Sequence, residues 1–245
     1  MTNLAFDFSG RTAIITGAAR GIGLELARFF TTAGAHVVMV DNDREALEAS
    51  AADVGGRPAP ADIRDTAQVQ EVVDQALAGT GRVDILINNA GLVRDRVLWK
   101  LTDDEWELVV AVHLGGTFKF TRACVAPFRA QGTGRVVNVT SYTGLHGNIG
   151  QSNYAGAKAG IVGFTKTAAK ELARFGVTVN AISPNARTRM LDGIPDEHFR
   201  QLVGQIPLGR FGEPVEMCAA VGFLVSDEAA YVTGVVLPVD GGMSI

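Results

Sequence analysis

Tyr154 and Lys158 lie four apart in a stretch with helical patterning, so they share one helix face. An ammonium beside a phenol favours the phenolate and lowers a pKa that is otherwise about 10. That would fit a tyrosine to move protons near neutrality. A solvated tyrosine and lysine is the plainer explanation, but Ser141 stands thirteen residues before Tyr154, at the end of a predicted strand. Strand carboxyl ends are where open α/β sheets hold their ligands.

A second group lies near the N-terminus. Thr16-Gly17-Ala18-Ala19-Arg20-Gly21-Ile22-Gly23 follows an apolar strand and opens a helix. Glycines in such a turn let the backbone close on a pyrophosphate seated at the helix N-terminus. A glycine-rich turn without a ligand is the alternative, and GxxxGxG departs from the commonest GxGxxG spacing. Asp41 ends the second strand, where a carboxylate accepts the ribose hydroxyls of a dinucleotide; a loop acid or helix cap is its plainer role. A carboxylate there would repel the 2′-phosphate of NADP by ~4 kcal/mol at an effective dielectric of about 20. Arg20 pulls the other way, but Asn42 and Asp43, not a base, follow Asp41. The cofactor expected is NAD, with NADP disfavoured.

Positioning these groups requires strands and helices in alternation. The predicted strands are Thr12–Thr16, Val37–Asp41, Ala59–Asp62, Val83–Ile87, Gly134–Thr140, Val177–Ile182 and Val235–Leu237. Between them lie helical segments at Gly23–Thr32, Arg44–Ala52, Thr66–Leu77, Asp103–Arg129, Asn153–Phe175 and Pro214–Leu224. Strict alternation means right-handed crossovers and an α/β fold: a Rossmann-type doubly wound parallel sheet of about seven strands with helices on both faces. The 245 residues are expected to form one domain, 1–245, with the stretch 184–213 as a substrate lid holding a short helix near Asp196–Gly204.

Apolar residues make up 47% and charged residues 20%, as in a soluble globular enzyme, and the net charge of -4 offers no basic face for nucleic acid. No apolar run reads as a membrane span, and Met1–Ser9 lacks the pattern of a signal peptide, so the expected compartment is cytoplasmic. Cys124 and Cys218 sit in apolar helical patterns without ligand spacing, and no metal is expected.

Thr16 to Gly23, Asn88-Asn89-Ala90-Gly91, Ser141, Tyr154-Ala155-Gly156-Ala157-Lys158 and Asp240-Gly241-Gly242, in that order, resemble the motifs of the short-chain dehydrogenase/reductase family across essentially the whole chain. The resemblance implies an oxidoreductase that moves a hydride between a nicotinamide cofactor and a secondary alcohol or ketone. It gives Tyr154 the proton transfer, Ser141 the grip on the carbonyl oxygen, and Lys158 the nicotinamide ribose. It sets Asp62 and Ile63 beside the adenine and Asn89, Ala90 and Gly91 against the cofactor. Two positions depart from the pattern. Val112-His113-Leu114-Gly115 has histidine where the family has the asparagine of a proton relay. His113 is either a substitute relay residue, titrating near its ordinary pKa of about 6.5 and setting an acid limb, or a satisfied histidine. Pro184-Asn185 replaces the family's Pro-Gly, and the threonine expected at the nicotinamide amide is Thr188, four residues after the proline instead of five.

The segments around His113 and Pro184–Met190 resemble the D-3-hydroxyacyl-CoA dehydrogenases, and Arg94–Trp106 resembles the 3-oxoacyl-carrier-protein reductases. Both imply a 3-oxoacyl or 3-hydroxyacyl thioester as the small-molecule partner. A cyclic or steroid alcohol dehydrogenase and a non-catalytic NAD-binding regulatory protein are the alternatives. Arg187, Arg189, Arg200 and Arg210 are either solvated or pair with coenzyme phosphates. Val109, Val110, Val112, Leu114 and Phe118 in one long helix, with Ile161, Val162, Phe164 and Leu172 in another, exceed what a sheet can cover. They suggest helix pairing across a two-fold axis, which the resemblance extends to a homotetramer.

Overall fold

The computed structural model describes residues 4–187 and 196–245. Its centre is one parallel sheet. The strands are β1 (Thr12–Thr16), β2 (His36–Asp41), β3 (Arg57–Pro60), β4 (Ile85–Asn88), β5 (Gly134–Val139), β6 (Val177–Pro184) and β7 (Val236–Val239), in the order β3-β2-β1-β4-β5-β6-β7. The order reverses between β1 and β4, so a crevice opens at their carboxyl ends. Every residue of β1, β4 and β5 is buried, as a sheet covered on both faces demands.

Helices α1 (Gly21–Thr32), α2 (Arg44–Val54) and α9 (Cys218–Val225) cover one face, where Leu26, Phe30, Leu47, Val221 and Leu224 share a core with the strands. On the other face α3 (Thr66–Thr80), α5 (Gly116–Gln131) and α7 (Ser152–Leu172) bury Val69, Val72, Phe120, Cys124, Phe128, Ala168 and Leu172. The helix starts are written in the sequence. The Asp43 carboxylate accepts the Ala46 N–H and begins α2, and Asp65 accepts the Ala67 and Gln68 N–H groups and begins α3. Thr102 and Glu105 form a reciprocal capping box at the start of α4 (Asp103–Val110).

The expected unbroken helix Asp103–Arg129 is divided. A π-helical turn, Ala111–Gly115, separates α4 from α5, and it carries His113 inward to 1% exposure. By length and composition the run Asp103–Gln131 could cross a bilayer, contrary to the sequence reading, but its most apolar window is already 44% buried inside the protein. Other boundaries moved modestly. The third strand lies two residues earlier than expected, at Arg57–Pro60. A helix not foreseen, α6 (Tyr142–His146), is capped by Ser141, and α8 (Asp196–Gly204) falls where expected. Both cysteine thiols are buried, and burial pushes each up to about 12.

Candidate active site

The turn after β1 is built to let something approach. Gly17 has φ +67° and Gly21 φ +58°. A Cβ at Gly17 would stand 2.7 Å from the Ala90 Cα, and one at Gly23 would stand 2.1 Å from the Gly17 carbonyl oxygen. Only glycine fits at either place. No side chain caps the N-terminus of α1, so its first N–H groups and its dipole face the crevice. Thr16 joins the turn to β4, its hydroxyl oxygen accepting the N–H groups of Asn89 and Ala90, each at 3.0 Å. The Asn89 amide in turn donates to the carbonyls of Thr16 (3.0 Å) and Gly17 (3.2 Å). The uncapped N–H groups at the start of α1 fit the anionic half of a dinucleotide.

The cleft above them has a volume of about 340 Å³. It brings together Gly17, Arg20, Gly21, Ile22, Asp41 and the Asn89-Ala90-Gly91 turn with His113, Ser141, Tyr154, Lys158 and Pro184. An adjoining hollow shares Gly17, Asp41 and Ala90 and adds Asp62 and Ile63. There the Arg64 guanidinium holds the Asp62 carboxyl below its ordinary value. Thr188 and Arg189, and with them the middle of the expected lid, lie outside the described residues. The described ends of that segment are joined, with the Arg187 N–H donating to the Gly212 carbonyl at 2.7 Å. Of the arginines expected to meet phosphates, Arg210 is paired with Glu216 at 2.6 Å and Arg187 lies 5.8 Å over the Phe199 ring. A larger concavity, about 520 Å³, runs between α3 and α5 and includes none of these groups.

Ser141, Tyr154 and Lys158 converge from the end of β5 and the first turns of α7. Ser141 lines the cleft beside Tyr154 and draws the phenol pKa down. Lys158 is buried, donates from Nζ to the Val139 carbonyl at 2.6 Å, and stands 5.6 Å from the Tyr154 ring centroid. Its burial lowers its pKa to about 7. Tyr154 departs from the sequence reading: burial holds its phenol above the ordinary value, Ser141 draws it down, and the Asp95 charge raises it. Desolvation is the largest of these effects.

His113 packs edge-on to Tyr154, with centroids 5.1 Å apart. Its Nε2 lies 2.7 Å from the Leu92 carbonyl oxygen. With the proton there it donates to that carbonyl, and Nδ1 is left a buried acceptor with no partner among the described residues. Burial and the neighbouring Lys158 lower the His113 pKa to about 3, so it stays neutral through the working range and sets no acid limb near 6.5.

Sequence reasoning passed over several residues that hold the site. Thr140 donates from its hydroxyl to the Lys158 carbonyl at 2.8 Å. Asn88 donates to Asn138 (2.9 Å), which donates to Thr165 (2.9 Å), a buried polar chain linking β4, β5 and α7. Asn153 accepts the Tyr154 N–H at 2.8 Å and donates to the Arg94 carbonyl at 3.0 Å. Polar residues inside otherwise apolar runs were the available signal.

A family model described as Enoyl-(Acyl carrier protein) reductase matches residues 17–244. The 3-oxoacyl-[acyl-carrier-protein] reductase FabG of Thermotoga maritima is 41% identical over 242 residues, 96% of this chain and 98% of that protein. The FabG of Escherichia coli is 38% identical over 240 residues, 97% of this chain and 98% of its own. Among solved structures, that of levodione reductase superposes with a TM-score of 0.92 at 36% identity, covering 97% of this chain and 98% of its own. FabG reductases are NADPH-dependent, which overturns the expected preference for NAD. The geometry shows why Asp41 misled. Its carboxylate accepts the N–H groups of Ala19 (3.3 Å) and Asp43 (3.1 Å), so it caps the turn, and the Arg20 guanidinium stands beside it, paired with Asp43.

Proposed function

Because the chain belongs to the short-chain dehydrogenase/reductase superfamily and is an NAD(P)(H)-dependent oxidoreductase of carbonyls and alcohols, we propose that its substrate is a 3-oxoacyl or 3-hydroxyacyl thioester. The observation that carries the chemistry is the convergence of Ser141, Tyr154 and Lys158 on a cleft floored by the glycine turn. The relatives named as 3-oxoacyl-[acyl-carrier-protein] reductases support the substrate class.

Gly17, Arg20, Gly21, Ile22 and Gly23 would hold the cofactor's phosphates, and Asp41, Asp62 and Ile63 its adenosine. Asn89, Ala90, Gly91, Tyr154, Lys158, Pro184 and Thr188 would hold the nicotinamide half. The bound nicotinamide supplies or takes up the hydride. Ser141 holds the carbonyl oxygen by its hydroxyl. Tyr154 gives that oxygen a proton on reduction and removes it on oxidation. A phenol kept above its ordinary pKa retains its proton at neutrality, so the resting site is set to donate, the need of the reductive direction. The whole chain acts as one domain, with 184–213 bordering the substrate.

The same reading extends to assembly and place. Phe118, 42% exposed on α5, stacks edge-on with Phe164 of α7 at 6.4 Å. That apolar face suits pairing of α5 and α7 with a second copy, in a homotetramer, in the cytoplasm. A second substrate reading, a cyclic or steroid alcohol dehydrogenase, rests on the likeness to levodione reductase. The deciding assay follows NADPH and NADH consumption with 3-oxoacyl thioesters of coenzyme A and carrier protein beside cyclic ketones. Thioesters should give the highest kcat/KM, and Tyr154→Phe should lose turnover while still binding cofactor. Better turnover of the cyclic ketones refutes the substrate; turnover above a few per cent in Tyr154→Phe refutes the role.

A further inference from the structure

Two buried side chains grip the loop after β4, and both touch Tyr154. His113 meets the loop at Leu92, its Nε2 lying 2.7 Å from the carbonyl oxygen, and its ring packs edge-on to the phenol ring. Asn153, 0% exposed, meets the loop two residues on. Its Nδ2 donates to the Arg94 carbonyl at 3.0 Å and to the Glu105 carbonyl of α4 at 3.4 Å. Its Oδ1 accepts the Tyr154 N–H at 2.8 Å. That N–H lies in the first turn of α7, where the helix offers no carbonyl, and the Gln151 side chain before the helix caps none of these groups. The tyrosine is thus referred to one loop twice, its ring through His113 and its main chain through Asn153.

We propose that Asn153 is a positioning residue for Tyr154. Its amide sets the tyrosine main chain against the loop and α4, and so fixes how far the phenol reaches into the cleft. Among short side chains only an amide offers an acceptor and two N–H donors together. Both donors go to walls of the site, since Arg94 of the loop and Leu108 of α4 line the hollow that adjoins the catalytic cleft. With the oxygen and the nitrogen both engaged in the interior, the amide has one orientation. Without the donors, the start of α7 is free to shift against the loop and carry the hydroxyl with it. A displacement of about 1 Å at a reacting group costs on the order of a hundredfold in rate.

The inference rests on Tyr154 being the proton carrier. Asn153→Asp is close in shape and keeps the acceptor for the Tyr154 N–H, but it loses both donors; Asn153→Ala loses all three bonds. Each should lower kcat by at least about tenfold, with NADPH affinity, followed by the cofactor's fluorescence, as in wild type. The isotope effect on kcat with deuterated NADPH should rise, because the chemical step then limits turnover. Asn153→Ala decides alone if Asn153→Asp does not fold. A folded variant with wild-type kcat and isotope effect, and only a lower urea midpoint, would make Asn153 a structural residue and overturn the proposal. So would a fall in kcat in Asn153→Ala that Asn153→Asp restores, because the helix-start bond alone would then account for it. The assay runs on any carbonyl that the wild type reduces, thioester or cyclic ketone, and Tyr154→Phe beside it reports on the tyrosine, so failure here is distinct from failure of the substrate or of the proton carrier.

Discussion

Gly91→Ala tests the packing that seats His113 against Tyr154. A Cβ at Gly91 would lie 2.2 Å from the His113 Cε1 and 2.9 Å from its Nδ1, whereas carbon contacts settle near 3.5–4.0 Å. The ring has no easy retreat, being 1% exposed, bonded through Nε2 to Leu92, and backed by the Tyr154 ring at 5.1 Å. Either the imidazole presses on Tyr154 or the turn from Asn89 to Leu92 lifts. Overpacking of this kind costs about 1–3 kcal/mol, read as a lower urea midpoint with an unchanged slope. Turnover should fall by at least about tenfold, since small misplacements of reacting groups are expensive. The decisive arm is the double mutant. His113→Ala removes the ring, so adding Gly91→Ala to it should cost less than about 0.5 kcal/mol. All four proteins must be compared at one concentration, because assembly stabilises by mass action. Additive losses in the two backgrounds would show that the ring is not what Gly91 makes room for.

The remaining expectations are briefer. Arg20→Ala should raise the KM for NADPH several-fold more than that for NADH; equal effects would remove Arg20 from any part in reading the 2′-phosphate. His113 is neutral in the fold down to about 3 but takes a proton near 6.5 when unfolded, so native stability rises with pH across that window. His113→Asn should flatten the rise in urea midpoint between about pH 4 and 6.5, and an unchanged slope refutes the buried neutral ring. Phe118→Glu should yield a smaller particle by light scattering with its circular dichroism spectrum intact; an unaltered assembly would place the interface elsewhere.

The seven parallel strands and the tight glycine turn after the first were legible because local patterns determine them. Apolar runs such as Thr12–Thr16 could only be doubly covered strands, and Gly17, Gly21 and Gly23 marked a backbone that must come close to something. Tyr154 and Lys158 were legible as a helical pair. What escaped depends on long-range placement. The raised pKa of Tyr154 comes from desolvation and from Asp95, 59 residues away in the chain. The part played by Asp41 depended on where its carboxylate pointed, and periodicity does not report that. The interruption at Ala111–Gly115 escaped because its residues still follow an apolar helical pattern.

That interruption has a consequence for the phase of everything after it. Val109, His113 and Thr117 are all buried, though eight residues at 3.6 per turn would drift roughly 80° out of line. The wider turn absorbs the drift by holding about one residue more than an α-helical turn needs. Rewinding the same residues as an unbroken α-helix would rotate the following helix by about 100° and turn the face of Phe120, Cys124 and Phe128 away from the sheet, whereas removing one residue would relax the turn and leave α5 in place. The surplus residue thus works as a gear tooth between the site and the flank of the molecule: the frame that points His113 at Tyr154 also decides which side of α5 is left for a neighbour.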